Sequence, residues 1–187
     1  MTDITFTFNS KSLDLANMEI KKYPLDRKQS AVMPLLDLAQ RQNGGWLSKS
    51  AIEYVASFLD MPYIKVFEVV TFYSMYYTTP VGKYFVQVCT TTPCWLKGSD
   101  EVVKACKEII SPEQNTLSVD NVFSWMEVEC LGACVNAPLV QINDDFYEDL
   151  NYETTKNILQ SLIEDKQIDI GSQTGRQGSK AEEYVKN

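Results

Sequence analysis

The sequence predicts an α+β protein: a small N-terminal helical bundle followed by an α/β domain in which helices pack on a sheet. Three observations support this. Apolar residues recur at helical spacing between residues 27 and 73. After Gly82, short apolar runs with strand character alternate with helical segments. Four cysteines form two tight pairs, and each pair lies on a loop that follows one of these runs.

The first part of the chain predicts the bundle. Residues 1–22 show no clear period, so we expect an extended segment there. Apolar positions within 27–43 approximate one helical face, and Pro34 marks either a kink or the true start of that helix. A capping serine at position 48 or 50 predicts a second helix that stops near Pro62, and a third helix follows around 66–73.

The second part alternates between strands and helices, which predicts a small sheet with helices packed on it. We therefore expect three regions: an extension and helical bundle over 1–80, a sheet domain over 81–166, and a mobile polar tail over 167–187. Strands are predicted over 84–88, 124–129, 139–142 and 146–147, and helices over 99–110 and 153–164.

Composition excludes several functions. The net charge of −8 and pI near 4.6 argue against nucleic-acid binding, which relies on clustered Lys and Arg. Histidine is absent, which removes His-based triads and His-ligated metals. The chain also has no phosphate loop and no dinucleotide fingerprint after a strand, so we expect no nucleotide site and no catalytic residue on it.

The chain shows no sign of membrane insertion. No apolar run reaches the ~18–20 residues that span a bilayer. The N-terminus resembles neither a signal peptide nor an Arg-rich transit peptide. We therefore expect a bacterial cytoplasmic subunit, or a processed mature form, in a reducing compartment where free thiols and metal thiolates persist.

The cysteines predict a metal centre. Cys89 and Cys94 are spaced C-x4-C, and Cys130 and Cys134 are spaced C-x3-C. Thiolate sites select soft centres, chiefly zinc or an iron–sulfur cluster. The spacing favours a [2Fe–2S] cluster, while structural zinc and disulfides or inert thiols remain alternatives. The fifth cysteine, Cys106, lies on the apolar face of a predicted helix and is expected to be a buried core thiol.

Long segments of the chain resemble one family. These segments are CTTTPCWLKGSD from Cys89 and ECLGACVNAPLVQINDDFYEDL from Glu129, together with GGWLSKSAIEYVASFLDMP and VFEVVTFYSMY in the helical region. They resemble the thioredoxin-like [2Fe–2S] subunit of respiratory NADH:quinone oxidoreductase, complex I, which is the 24 kDa subunit in mitochondria. The likeness covers about residues 20–165. It implies a thioredoxin-like ferredoxin fold for the second domain, with Cys89, Cys94, Cys130 and Cys134 as ligands of one [2Fe–2S] cluster.

The resemblance also implies a function and partners. The chain would transfer electrons within the NADH dehydrogenase module, beside a flavoprotein subunit that carries FMN and binds NAD, and among other peripheral-arm subunits. It would lie on the cytoplasmic side of the bacterial inner membrane, or on the matrix side if eukaryotic. One alternative is the diaphorase subunit of an NAD-linked hydrogenase or formate dehydrogenase. Another is a zinc-stabilised interaction module.

Two local features are expected to serve the cluster. Gly132 can adopt backbone conformations that let two ligands of one short loop converge. Thr90, Thr91 and Thr92 are candidate hydrogen-bond donors to cluster sulfurs, with ordinary turn capping as the alternative.

Overall fold

The computed structural model describes residues 5–178, and this part of the chain divides between Val81 and Gly82 into two compact units. No helix within 5–178 is long and apolar enough to cross a membrane. The first unit contains α1 (Ser10–Ile20), a 3-10 helix (Leu25–Ala31), α2 (Val32–Gln42), α3 (Lys49–Phe58) and α4 (Tyr63–Phe72). The second contains β1 (Tyr84–Cys89), α5 (Thr92–Leu96), α6 (Ser99–Ile109), β2 (Phe123–Val128), a 3-10 helix (Cys134–Asn136), β3 (Leu139–Ile142), β4 (Asp145–Glu148), α7 (Tyr152–Ile163) and β5 (Gly171–Ser172).

The first unit is a helical bundle, as the sequence predicts. Each of the helices α2, α3 and α4 buries one apolar face in a common core. Pro34 is the third residue of α2, so it marks the start of that helix and not a kink. Ser48 caps α3, and its hydroxyl accepts a hydrogen bond from the Ala51 N–H at 3.2 Å.

The prediction of an extended segment over residues 1–22 is wrong for Ser10–Ile20, which forms α1. The Asn9 side chain caps this helix by accepting a hydrogen bond from the Ser12 N–H at 2.8 Å. Ser12 and Ala16 are the residues that α1 buries, while Leu13, Leu15 and Met18 are exposed. Because small residues line the buried face, the helix carries no clear apolar period.

The second unit is built on a five-stranded sheet in the order β2-β1-β3-β4-β5. β1 runs parallel to β2 and antiparallel to β3, and β4 runs antiparallel to β3 and parallel to β5. Helices α6 and α7 share one core with the sheet, into which Val86 and Val88 of β1 project. Cys106 of α6 is fully buried in this core, as expected for a structural thiol.

Gly82 begins the second unit in a position that no larger residue can occupy. A Cβ atom on Gly82 would lie 2.4 Å from the carbonyl carbon of Phe123. The Gly82 N–H also donates to the Ser124 hydroxyl at 3.0 Å. The chain therefore enters β1 in direct backbone contact with the start of β2.

β5 is a strand that the sequence does not predict, since it falls within the polar segment 167–187. Gly171 pairs with Tyr147, and Ser172 pairs with Glu148. A strand of two residues is too short to show an apolar alternation, and its pairing is made by the backbone alone. Residues 179–187 of the predicted tail lie outside the described residues.

Candidate metal centre

The ends of β1 and β2 bring the two cysteine pairs to one edge of the sheet. Cys89 is the last residue of β1 and pairs in register with Val128, the last residue of β2. The Thr90 N–H donates to the Val128 carbonyl at 3.3 Å. Cys130 follows two residues later. Because the strands are parallel, their carboxyl ends meet at the same edge, so residues 41 positions apart in sequence become neighbours.

Two short helical turns place the second cysteine of each pair. Cys94 is the third residue of α5, a five-residue helix that the sequence does not predict. Cys134 begins the 3-10 helix Cys134–Asn136. Gly132, between Cys130 and Cys134, has φ +87°, the left-handed conformation expected of it. No atom would contact a Cβ at Gly132, so the backbone conformation, not a lack of space, favours glycine there.

The structure brings the thiols together as two contacting pairs. The Sγ atoms of Cys130 and Cys134 are 3.3 Å apart, and the Cys94 thiol hydrogen-bonds to Cys89. Cys89 and Cys94 also share a small apolar cluster with Ala133, from the loop of the other pair. Within residues 5–178, no group of three or more His, Cys, Asp or Glu side chains is arranged to hold a single metal ion.

The first cysteine of each pair is the one whose thiolate is favoured. Burial alone would raise the pKa of Cys89, but hydrogen bonds from the Thr91 hydroxyl, the Leu131 backbone and the Cys94 thiol together lower it. The pKa of Cys130 is lowered by a hydrogen bond from the Gly132 backbone and by the Cys134 thiol. Each first cysteine therefore accepts hydrogen bonds from its surroundings.

The second cysteine of each pair shows the opposite shift. Burial and the donated hydrogen bond to Cys89 raise the pKa of Cys94 to about 12. The pKa of Cys134 is raised by its hydrogen bond to Cys130 and then by burial. Within each pair, the second cysteine thus donates its thiol hydrogen to the sulfur of the first. A cationic centre bound by both sulfurs would displace the thiol hydrogens, because metal binding and deprotonation of thiols are coupled.

Thr91 is the threonine that the structure selects from the three candidates. Its Oγ1 lies 3.4 Å from the Cys89 Sγ, and its hydroxyl also interacts with Cys130. Thr91 occupies the N-cap position of α5 without a capping hydrogen bond from its side chain, so its hydroxyl serves the thiols and not the helix end. The sequence named Thr91 as a candidate but could not separate it from its neighbours.

A family model confirms the fold class and supports an iron–sulfur cluster. The model for thioredoxin-like [2Fe-2S] ferredoxin matches residues 16–163. The chain belongs to the thioredoxin-like [2Fe–2S] ferredoxin family. This result confirms the thioredoxin-like fold predicted for the second unit, and it favours an iron–sulfur cluster over the other thiolate centres.

Curated relatives of this ferredoxin are similar over nearly all of the chain. An NADH-quinone oxidoreductase subunit of Rickettsia typhi is 57% identical over 164 residues, which cover 88% of this chain and 96% of that protein. The mitochondrial NADH dehydrogenase [ubiquinone] flavoprotein 2 of Dictyostelium discoideum is 48% identical over 174 residues, covering 93% and 70% of the two chains.

A solved structure shares the fold of this ferredoxin. The crystal structure of an NAD+-reducing [NiFe]-hydrogenase in the H2-reduced state matches with a TM-score of 0.60 and 17% identity, over 73% of this chain and 23% of that one. At this level of identity the likeness supports the fold and carries nothing about function.

The cysteine site of this ferredoxin is buried on one side and open on the other. Cys89 and Cys94 are 1% and 0% exposed, whereas Cys130 is exposed and Cys134 is half-buried. Exposed apolar side chains flank the ligand loops: Trp95 and Leu96 beside Cys94, and Val135 beside Cys134. The site therefore combines a dry interior with an apolar surface opening.

Proposed function

We propose that Cys89, Cys94, Cys130 and Cys134 bind one [2Fe–2S] cluster, and that the chain is the electron-transfer subunit of an NADH:quinone oxidoreductase. The observation that carries the proposal is the convergence of the two cysteine pairs at the shared end of β1 and β2. A relative at 57% identity and nearly full coverage is named as a subunit of that enzyme.

The residues present fit such a cluster. Four thiolates are the standard ligand set of a [2Fe–2S] centre, with two for each iron, and the structure presents two thiol pairs. Thr91 and the backbone of Leu131 and Gly132 donate hydrogen bonds towards the sulfurs. Donors of this kind stabilise negative charge on the ligands. When bound, the cluster supplies reversible storage of one electron.

The protein's own contribution is to hold the ligands and control access. Burial of Cys89 and Cys94 keeps water from one side of the site, while the opening at Cys130 leaves an edge close to the surface for electron exchange. No side chain is assigned to proton transfer or nucleophilic attack. The chain is thus an enzyme subunit that catalyses nothing in isolation.

An electron source must come from a partner. Hydride transfer from NADH delivers two electrons, while the cluster takes one, so a flavin has to divide the pair. The sequence contains neither a dinucleotide fingerprint nor a phosphate loop. We therefore assign FMN and NAD to a flavoprotein subunit bound to this chain, within a peripheral arm on the cytoplasmic side of the bacterial membrane.

A second candidate is the diaphorase subunit of an NAD-linked hydrogenase. An NAD+-reducing [NiFe]-hydrogenase contains a chain with the same fold, which is compatible with this alternative. That match has 17% identity, against 57% for the NADH-quinone oxidoreductase subunit. Purification of the native complex, with identification of its subunits, separates the two.

The cluster itself is tested on the purified chain. We expect two irons and two acid-labile sulfides per chain, a brown colour with sulfide-to-iron charge-transfer absorption, and bleaching by dithionite. A colourless chain that holds zinc would support the zinc-stabilised module and refute the proposal. NADH oxidation should require addition of the flavoprotein, so activity of the chain alone would refute the carrier role.

A further inference from the structure

The segment 171–178, which we call the strap, lies beside the loop that carries Cys130 and Cys134. Its strand β5 extends the sheet along β4, and the Gln173 N–H donates to the Glu148 carbonyl at 3.0 Å. A surface groove of ≈ 1100 Å³ is lined by residues 131–133 of the ligand loop and by strap residues that include Arg176. The strap therefore forms part of the surroundings of the candidate cluster site.

Asp149 anchors the strap. Its side chain is only 9% exposed, and its φ of +57° is a conformation that Asp and Asn tolerate better than most residues. The hydroxyls of Ser172 and Thr174 donate to Oδ2 at 2.5 and 3.1 Å. The Nε atom of Arg176 donates to Oδ1 and Oδ2 at 3.1 and 3.2 Å. The Nη2 atom of Arg176 also donates to Oδ1, so five donated bonds converge on one carboxylate.

The Arg176–Asp149 pair also holds the backbone that follows Cys134. The Nη2 atom of Arg176 donates to the carbonyl of Val135 at 2.9 Å. The Asp149 N–H donates to the carbonyl of Asn136 at 2.8 Å. The pair therefore fixes two consecutive carbonyls directly after a proposed ligand.

Contacts of this kind matter because the ligand loop has little structure of its own. Residues 130–133 belong to no helix or strand, and the 3-10 helix that starts at Cys134 is only three residues long. Asn136 is fully buried, and its Nδ2 donates to the Glu148 carboxylate at 2.7 Å. The direction of the Cys134 thiol thus depends on groups outside the loop.

We propose that Arg176 and Asp149 are positioning residues that hold Cys134 in its cluster-binding orientation, an inference that rests on the proposed [2Fe–2S] site. Because the pair is neutral as a whole, it acts through geometry and not through net charge. Removing either partner should loosen the same loop. Neutralising Arg176 and neutralising Asp149 should therefore weaken cluster binding in the same way, although the two residues carry opposite charges.

A substitution at Gly178, at the far end of the strap, tests the same loop without changing any charge. A Cβ on Gly178, where φ is +45°, would lie 1.9 Å from Oδ1 of the buried Asn136. G178A should consequently push Asn136, or lift the strap, with no change in the electrostatic field.

The experiment compares R176Q, D149N and G178A with the wild-type chain, each loaded with cluster. A second, more exposed ion pair in the same unit supplies controls: Lys83 Nζ lies 2.8 Å from Asp165 Oδ1, and Asp165 also has positive φ, at +51°. The variants K83Q and D165N thus remove one charge each from an ion pair near the start of β1, the end remote from Cys89. The readouts are the rate of cluster loss in a chelator, the midpoint potential and the electron paramagnetic resonance spectrum.

We expect R176Q, D149N and G178A to lose the cluster several-fold faster than wild type, with altered resonance spectra, while K83Q and D165N keep the wild-type rate. Opposite shifts of potential in R176Q and D149N at an unchanged rate of loss would show a purely electrostatic effect and overturn the inference. If R176Q fails to fold, R176K replaces it in the test, because lysine keeps the charge but cannot bridge the Asp149 carboxylate and the Val135 carbonyl. A wild-type rate of cluster loss in R176K would then refute the inference. A wild-type chain without iron and sulfide would refute the proposed function itself.

Discussion

Cys89 lies opposite Val128 at the last register position of the parallel strands β1 and β2. Since Cys130 follows Val128 by two residues, this pairing sets the distance between the two halves of the candidate site. The parallel direction matters, because antiparallel strands would send the two loops to opposite edges of the sheet. The position of the candidate metal centre thus follows from strand topology.

Substitution of the individual cysteines tests the ligand set. Replacing Cys89, Cys94, Cys130 or Cys134 by Ala should remove or strongly destabilise the cluster, since each loss leaves an iron under-coordinated. Cys106→Ala is the matched control, and it should cost about 1 kcal/mol of packing while keeping the cluster. Iron and acid-labile sulfide per chain are measured for all five variants. Full loading after loss of one of the four, with loss of cluster in Cys106→Ala, would contradict the assignment.

Thr91→Val tests hydrogen bonding to the thiolates. The substitution keeps the size of the side chain but removes the hydroxyl that contacts Cys89 and Cys130. Loss of a donor disfavours the more negative reduced state, so the midpoint potential should fall by on the order of tens of millivolts, where ~59 mV is a tenfold change for one electron. Thr92→Val, at an exposed position at the start of α5, is the control. Equal potentials in the two variants would remove Thr91 from this role.

Deletion of the first unit tests whether the second unit alone binds the cluster and whether the first unit binds the flavoprotein. A chain that begins at Gly82 keeps its own hydrophobic cores, so it should fold and retain a coloured cluster. The first unit exposes Phe72 by 79% and Ile64 by 56%, and aromatic residues are enriched at interface cores. We therefore expect the truncated chain to lose co-purification with the flavoprotein. Retained binding would place the interface on the second unit.

The acid stability of the apoprotein tests the Asp149 anchor. Burial alone would raise the pKa of Asp149, but hydrogen bonds from Arg176, Ser172 and Thr174 hold it below its usual value. A depressed folded-state pKa stabilises the protein above the unfolded value of about 3.9 and ceases to do so as the pH falls through the folded value.

Wild type should accordingly exceed D149N by about 1–2 kcal/mol near neutral pH, and the difference should shrink below about pH 4. Urea unfolding of both apoproteins at the two pH values measures this. A difference that stays constant with pH would show that the carboxylate charge contributes nothing.

The sequence predicted the helices and strands that carry a repeating apolar pattern, and it failed where the pattern is absent. Val55 and Val86 belong to elements whose alternation or helical face is visible in the residues alone. The helix α1 was not predicted because its buried Ala16 is small. The short elements α5 and β5 were not predicted because five and two residues cannot establish a period.

Prediction of the site had a similar limit. The cysteine spacing and the family resemblance predicted Cys89, Cys94, Cys130 and Cys134 as candidate ligands, because both can be read from short segments of sequence. Thr91 could not be separated from the adjacent threonines, since only the structure shows which hydroxyl faces the thiols. The hydrogen bond between Arg176 and Val135 joins residues 41 positions apart, so no local sequence pattern predicts it.

The close approach of Gly82 to Phe123 sets a rule for protein engineering. A linker, affinity tag or foreign helical module can be joined ahead of Gly82, but the glycine itself has to travel with the ferredoxin part, since any side chain there would collide with the backbone of β2. A fusion cut one residue later would place a side chain at this position, and the resulting collision would displace the backbone N–H that donates to Ser124. A fusion protein that contains the ferredoxin unit should therefore include Gly82 as the first residue of that unit.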